Sequence, residues 1–160
     1  MNTQKLIDLL MQKNYKIASA ESCTGGLFAS TIISHPNTSS IRDLSIVTYA
    51  NEAKIKYVNV NPKTIEKHGV VSEEVAGEMA IGIAEASGAN IGVSFSGIAG
   101  PTGATETKPV GMVCIGICIN GSLFTYTNYF KGDRTSVRTQ SVEFAINKLL
   151  ELLQYRQSHR

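Results

Sequence analysis

The chain has 160 residues, of which 42% are hydrophobic and 18% charged, and its formal net charge is +2. At this length one compact domain over residues 1–160 is expected, burying roughly 70% of its unfolded surface. The apolar content and the small net charge exclude intrinsic disorder. The apolar runs are too short for a membrane span of about 20 residues. The small net charge also argues against nucleic-acid binding as the main function, because that function needs a concentrated basic face.

The cysteine content indicates free thiols rather than a disulfide framework or a metal site. The three cysteines make an odd number, and the N-terminal residues carry no visible export signal. This combination is typical of a reducing cytoplasm. The sequence has no CxxC pair, and its three histidines are scattered. We therefore predict no metal site and no cofactor that depends on one.

The first part of the chain predicts helices and strands in alternation. An amphipathic helix is expected over residues 3–13, with Thr3 as its N-cap. A strand over residues 15–20 ends at Glu21, and a helix covers residues 27–34. After a polar loop, a second strand is expected over residues 44–50.

The remainder predicts three further helices, three strands and a long closing helix. Asn61-Pro62 is a helix start with Asn61 as its cap, and Ser72-Glu73-Glu74 starts the next helix. Asn120-Gly121 is a strong hairpin signal. The expected ranges are helices at 52–58, 62–69, 72–88 and 135–155, and strands at 91–95, 111–119 and 122–130. This order predicts an α/β sandwich with a mixed sheet of about five strands and helices on both faces.

Four polar segments with special chemistry follow strands or open helices. In open α/β sheets, ligands bind outside the carboxyl ends of the strands, so function is expected in these segments. They are residues 20–26, 48–54, 94–109 and 132–138.

The first segment, AESCTGG, lies between a strand and a helix. Here Ser22 would lie at the sheet edge, and the amides of residues 23–26 can hold an oxyanion or a phosphate. Equally, Ser22 or Thr24 can simply cap the helix while the glycines form a tight turn. Cys23 is a second candidate nucleophile, because a nearby helix start lowers a thiol pKa.

In the second segment, Tyr49 lies at the end of a strand and Lys54 follows five residues later, so both can lie in the same cleft. A desolvated lysine near other cations has a lowered pKa and can act as a general base. On this pattern alone, the favoured alternative is a solvent-facing lysine at a helix start.

The third and fourth segments indicate ligand contacts. The glycine-rich run SFSGIAGPTG (94–103) is long for a loop between strands, where about 2–6 residues is usual, and favours a polar ligand. Arg134 and Arg138 open the last helix and suit a phosphate. The alternative for this pair is a solvated helix end capped by Asp133.

Six motifs, taken together and in order, resemble the CinA C-terminal domain family over about residues 5–153. That family's characterised activity is nicotinamide-nucleotide amidase. The motifs are AESCTGG (20–26), VTYANEAK (47–54), GVVSEEVA (69–76), SGIAGPTG (96–103), KPVG (108–111) and GDRTSVR (132–138).

The resemblance implies a three-layer α/β/α sandwich that hydrolyses the carboxamide of nicotinamide mononucleotide to nicotinate mononucleotide and ammonia. It implies a homodimer that serves pyridine-nucleotide salvage, with no metal. By motif, Ser22 would be the nucleophile and Lys54 the base, with Tyr49 assisting proton transfer or orientation. The implied substrate contacts are Thr24, Gly25, Gly26, Ser96, Gly97, Thr102, Gly103 and Arg134.

Two departures from the family pattern bear on this expectation. Thr102 stands where relatives usually have an acidic residue, and residues 36–42 lack the usual Gly–Ser/Ala–Ser segment and aromatic. Both departures are expected to line or border the cleft and to alter substrate binding. They motivate an alternative, a nucleotide-binding or regulatory module without turnover. Larger members carry an N-terminal molybdopterin-binding-like domain, whereas this sequence matches the amidase domain alone.

Overall fold

The computed structural model describes residues 1–158, which form six helices and five strands within that range. The helices are α1 (Thr3–Lys13), α2 (Leu27–Ile33), α3 (Asn51–Val58), α4 (Pro62–His68), α5 (Glu73–Ser87) and α6 (Arg134–Ser158). The strands are β1 (Ile17–Glu21), β2 (Arg42–Val47), β3 (Ile91–Gly97), β4 (Met112–Ile119) and β5 (Ser122–Tyr129).

The strands form one mixed sheet in the order β2-β1-β3-β4-β5. Strands β2, β1 and β3 run parallel, whereas β4 is antiparallel to both β3 and β5. Helices α1, α2 and α6 pack on one face of the sheet, and α5, with α3 and α4 against it, covers the other. The predicted α/β fold with a five-stranded mixed sheet and helices on both faces is confirmed.

The core lies on both sides of the central strands. All five residues of β1 and the first six of β3 are buried, as expected for parallel strands covered on both faces. A hydrogen-bond bridge fixes α5 to the sheet: Ser94 Oγ donates to the carbonyl of Ala76 and accepts from the amide of Gly116. The carboxyl ends of β1, β2 and β3 meet at one edge of this rigid layer.

Most of the predicted elements are confirmed, and two details are wrong. Strand β2 covers Arg42–Val47 rather than residues 44–50, because it pairs with β1 from Arg42 opposite Ile17 to Val47 opposite Glu21. Thr3 is not the N-cap of α1. That position belongs to Asn2, and Thr3 is buried in the first turn.

The predicted capping and turn signals have the expected geometry elsewhere. The side chains of Asn61 and Ser72 accept backbone N–H bonds at the starts of α4 and α5. Asn120 and Gly121 both have positive φ, as a two-residue hairpin turn requires. Within residues 1–158, no helix has the length and apolar character to cross a membrane.

Candidate active site

A cleft of about 290 Å³ opens at the carboxyl ends of β1, β2 and β3. We call it the main cleft. It brings together residues from all four segments that the sequence singles out. Its lining comprises Ser22, Cys23, Tyr49, Asn51, Lys54, Val70, Val71, Ser96, Gly97, Ile98, Ala99, Thr102, Gly103 and Arg134.

Lys54 lies at the centre of the main cleft's polar contacts. Its side chain is only 1% exposed. Lys54 Nζ donates to the carbonyl of Thr48 at 2.6 Å, to the carbonyl of Tyr49 at 3.1 Å, and to Ser22 Oγ at 3.2 Å. In the neutral amine, the two carbonyls still accept both remaining N–H bonds. The nitrogen lone pair is then left facing Ser22 Oγ.

Burial lowers the pKa of Lys54 from 10.5 to about 8. The cause is desolvation, since the three hydrogen-bond partners are neutral oxygens that only partly replace water around the ammonium. The solvent-facing lysine that the sequence pattern favoured is therefore wrong. Lys54 and Val58, four residues apart, are the buried residues of α3, and this helix packs against α5.

Ser22 begins a tight turn over residues 22–26, which we call the Ser22 turn. The amide of Ser22 donates to the carbonyl of Phe95, and its carbonyl accepts from the amide of Gly25. Gly25 and Gly26 have φ of 57° and 100°, a backbone conformation that glycine adopts readily. The turn therefore fixes Ser22 at the end of β1 before α2 begins.

Glu21, predicted only as the end of a strand, holds the Ser22 turn in place from the buried side by hydrogen bonds. Its side chain is fully buried, and its two oxygens accept four hydrogen bonds. The donors are Thr24 Oγ1, the Phe28 amide, Ser19 Oγ and the Ala29 amide. The carboxylate thus caps α2, whose N-cap Gly26 has no side chain. The sequence signal for this role was a single acidic residue at the end of a strand that otherwise contains only small and apolar residues.

Thr24, Gly25 and Gly26 are absent from the lining of the main cleft. Thr24 is fully buried with its hydroxyl on Glu21, and the Gly25 amide is used by the carbonyl of Ser22. These contacts place the three residues in the Ser22 turn, and their predicted role as substrate contacts stays a prediction.

Cys23 lines the main cleft but is only 7% exposed. Burial raises the pKa of its thiol to about 12. The predicted lowering by the helix start is wrong, because desolvation outweighs it. Cys23 is therefore a protonated thiol at neutral pH, which is a poor nucleophile.

Tyr49 and Asn51 form the rim of the main cleft beside Lys54. The Tyr49 side chain is 65% exposed, while its carbonyl holds Lys54 Nζ. Asn51 is the first residue of α3 and was not singled out from the sequence. Its position between Tyr49 and Lys54 was the sequence signal that could have predicted Asn51 as a residue of the cleft.

The opposite wall comes from the glycine-rich loop after β3. Ser96 is buried, and its Oγ donates to the carbonyl of Val70 at 2.8 Å, whereas Thr102 and Gly103 are exposed at the open side. Arg134 reaches over this loop and donates from Nη1 to the carbonyl of Gly100 at 2.8 Å. The structure thus brings Ser96, Gly97, Thr102, Gly103 and Arg134 to the main cleft.

An apolar part of the wall was missed from the sequence. Val70, Val71 and Ile98 line the main cleft. Lys108, from the KPVG motif, holds this part in place, because its Nζ donates to the carbonyls of His68 and Val71 at 2.6 and 2.7 Å.

Two further expectations need correction. Arg138 does not line the main cleft, and its Nε and Nη2 donate to the carbonyls of Cys23 and Thr24. Residues 36–42 do not border the main cleft. Of these residues, Arg42 lines a separate cleft of about 200 Å³ between β1, β2 and α2. Asp133 caps α6 by accepting from the Ser136 amide.

Among residues 1–158, no three His, Cys, Asp or Glu side chains are grouped so that they could hold a metal ion.

Comparison with known proteins gives a match over nearly the whole chain. The family model of the CinA C-terminal domain matches residues 2–153. A competence-damage inducible protein of Clostridium perfringens (strain 13) is 50% identical over 134 residues, which is 84% of this chain and 32% of that relative. A protein of the same name from Alkaliphilus oremlandii is 46% identical over 141 residues, 88% of this chain and 34% of the relative. The chain spans about a third of the length of these curated relatives.

Solved structures match the fold over almost their full length. A CinA superfamily protein from Klebsiella pneumoniae 700603 superposes with a TM-score of 0.91 at 34% identity, covering 97% of this chain and 99% of the other. A competence or damage-inducible protein from Enterobacter asburiae gives a TM-score of 0.92 at 35% identity, covering 94% and 95%.

The contacts of Glu21 generate a stability prediction. In Glu21→Gln, one oxygen becomes an amide nitrogen that cannot accept, so two of the four buried donors lose their acceptor. We expect the free energy of unfolding to fall by about 2–6 kcal/mol, at roughly 1–3 kcal/mol per unsatisfied buried group. Urea denaturation followed by circular dichroism measures this change.

Glu66→Gln is the matched control, because Glu66 is exposed in the middle of α4. It should change the free energy of unfolding by less than about 0.5 kcal/mol. Equal stability of the two variants would contradict the capping role of Glu21.

Proposed function

Because the chain belongs to the CinA C-terminal domain family, we propose that it is a serine amidohydrolase that deamidates nicotinamide mononucleotide. The products are nicotinate mononucleotide and ammonia. One observation carries the proposal: a buried lysine with a lowered pKa lies 3.2 Å from the hydroxyl of Ser22. A hydroxyl beside an amine that is neutral near pH 8 is an activated nucleophile paired with its base.

In the first half of the reaction, neutral Lys54 accepts the Ser22 Oγ proton while Oγ attacks the carboxamide carbon. The tetrahedral adduct collapses as the resulting Lys54 ammonium gives this proton to the leaving nitrogen. Ammonia departs, and an ester joins the nicotinoyl group to Ser22 Oγ. Lys54 is neutral again and ready for the second half.

In the second half, water attacks the ester carbon and Lys54 takes one of its protons. The bond to Ser22 Oγ then breaks, and Lys54 returns the proton to this oxygen, so the acid product leaves and the hydroxyl is restored. The Lys54 amine thus acts twice as a base and twice as an acid. Both roles require that the pKa of Lys54 lies near the pH at which the enzyme works. Tyr49, exposed at the rim beside Lys54, is proposed to orient the carboxamide or assist proton transfer.

The main cleft also has features suited to the rest of this substrate. Val70, Val71 and Ile98 offer an apolar surface for a pyridine ring. Arg134 uses Nη1 on the Gly100 carbonyl and has further N–H donors for a phosphate. We propose phosphate binding by Arg134 near Thr102 and Gly103, at the exposed side of the main cleft.

We further propose that the 160-residue chain is sufficient for this activity. The homodimer and the place in pyridine-nucleotide salvage stay predictions that follow from the family resemblance, and the cytoplasmic location stays a prediction from the cysteine content. Because Thr102 lines the main cleft in place of the usual acidic residue, a module that binds the mononucleotide without hydrolysing it is the second candidate.

The nucleophile assignment predicts opposite outcomes for two adjacent residues. Ser22→Ala should lower kcat for ammonia release from nicotinamide mononucleotide by about a thousandfold or more, because the acyl group has no acceptor. Cys23→Ala should keep kcat within about threefold, because its thiol is protonated and takes no part. A coupled ammonia assay measures both.

Unchanged turnover in Ser22→Ala, or its loss only in Cys23→Ala, would overturn the assignment. Binding of the mononucleotide by calorimetry with no ammonia released by the wild type would instead support the non-hydrolysing module.

The lowered pKa of Lys54 predicts the pH dependence of turnover. Because the neutral amine is the base, kcat/KM should rise with pH and level off above about 8, falling tenfold per unit below it. Initial rates between pH 6 and 10, in buffers of constant ionic strength, test this dependence.

Lys56→Met is the control, since Lys56 is exposed on the same helix. It should leave the profile unchanged, whereas Lys54→Met should abolish turnover. A wild-type profile that is flat from pH 6 to 9 would exclude Lys54 as the base.

A further inference from the structure

Arg138 makes a paired contact with the backbone that follows Ser22. It lies one turn into α6 and is half-buried. Its Nε donates to the carbonyl of Cys23 at 3.1 Å, and its Nη2 donates to the carbonyl of Thr24 at 2.7 Å. These two carbonyls are consecutive, and they belong to the first residues after Ser22.

This geometry uses the planar fork of a guanidinium. Two N–H groups on one edge reach two neighbouring oxygens at once, which a lysine ammonium cannot reproduce with the same orientation. The contact joins residues that are 114 and 115 positions apart in the chain. It therefore fixes the Ser22 turn to α6, on the face of the sheet opposite α5.

Besides Arg138, three backbone hydrogen bonds hold the Ser22 turn: from the Ser22 amide to the Phe95 carbonyl, from the Gly25 amide to the Ser22 carbonyl, and from the Leu27 amide to the Thr24 carbonyl. Gly25 and Gly26 both have positive φ, and α2 has no side-chain cap of its own at Gly26. Beneath the turn, Glu21 holds the Thr24 hydroxyl, and above it Arg138 holds the Cys23 and Thr24 carbonyls. Removing Arg138 takes away the partner that the guanidinium gives to the Cys23 carbonyl, in the peptide group after Ser22, and the hydrogen bonds from α6 to the Ser22 turn.

We propose that Arg138 is a positioning residue that holds Ser22 Oγ in line with Lys54 Nζ. The proposal rests on the proposed function, because it concerns the nucleophile of that reaction. Arg138 does not line the main cleft and acts through the backbone of Cys23 and Thr24.

Lys54 is held independently of Arg138. Its Nζ is fixed by the carbonyls of Thr48 and Tyr49, which follow β2. Loss of the Arg138 contact should therefore displace the nucleophile and leave the base in place. The expected signature is a lower kcat with little change in KM and no change in the pH at which activity levels off.

The test compares Arg138→Gln and Arg138→Lys with the control Gln140→Ala. Gln140 also lies on α6 and donates to a backbone carbonyl, that of Lys131, away from the Ser22 turn. Arg138→Gln should lower kcat by about 10–100-fold, since a displacement near 1 Å can cost about a hundredfold. Arg138→Lys should recover part of this loss, and Gln140→Ala should keep wild-type turnover.

A second readout does not depend on the substrate. A fluorophosphonate forms a bond from phosphorus to Ser22 Oγ and releases fluoride, and intact-mass measurement follows the rate. Labelling of Arg138→Gln should slow by a factor similar to its loss of kcat, with Ser22→Ala as the unlabelled control. Millimolar guanidinium should restore part of the rate in Arg138→Ala, whereas equal sodium chloride should not.

The outcomes separate this proposal from the proposed function. If Arg138→Gln loses thermal stability but keeps wild-type kcat and labelling rate, the positioning role is wrong and the amidase proposal is unaffected. If the wild type is labelled at Ser22 but releases no ammonia, the substrate proposal fails. The positioning role of Arg138 is then tested only by the labelling rate of Arg138→Gln relative to the wild type. If the wild type is neither labelled nor active, both proposals are overturned.

Discussion

The cleft is organised around a lysine that is buried without a carboxylate to neutralise it. Lys54 and Glu21 are the charged side chains buried among the described residues, and they are stabilised differently. Glu21 accepts four hydrogen bonds, whereas the Lys54 ammonium has only neutral oxygens around it. Desolvation therefore favours the neutral amine, and the carbonyls of Thr48 and Tyr49 direct its lone pair at Ser22.

Backbone carbonyls recur as the partners of cations around the main cleft. Arg138 holds the Ser22 turn, Lys108 holds the segment before α5, and Arg134 holds the loop after β3. Each contact joins a loop to a distant element, so the walls are fixed without carboxylate partners for these cations. The charged residues that line the main cleft, Lys54 and Arg134, are both cations, which suits an anionic substrate such as the phosphate proposed at Arg134.

Local signals were sufficient for most of the fold, because capping residues, the Asn120-Gly121 turn and apolar periodicity depend on near neighbours. The motifs also located the segments that meet at the main cleft. The burial of Lys54 and the use of Arg138 were not predictable, since both depend on packing between distant elements. In the same way, Thr24 to Gly26 resembled ligand contacts because a glycine-rich turn before a helix has the same composition in either role. The bonds of Thr24 to Glu21 and Arg138, and that of the Gly25 amide to the Ser22 carbonyl, show how these residues build the turn.

The central claim is that Lys54 is a neutral base within reach of neutral pH, and its titration tests this directly. Chains carrying ¹³C-labelled lysine report each ε-carbon by NMR, and the Lys54→Met spectrum identifies the Lys54 signal. We predict a midpoint of about 8 for Lys54, well below the ordinary value of 10.5. A midpoint at 10.5 would show that Lys54 stays charged throughout the working range, and would contradict the account.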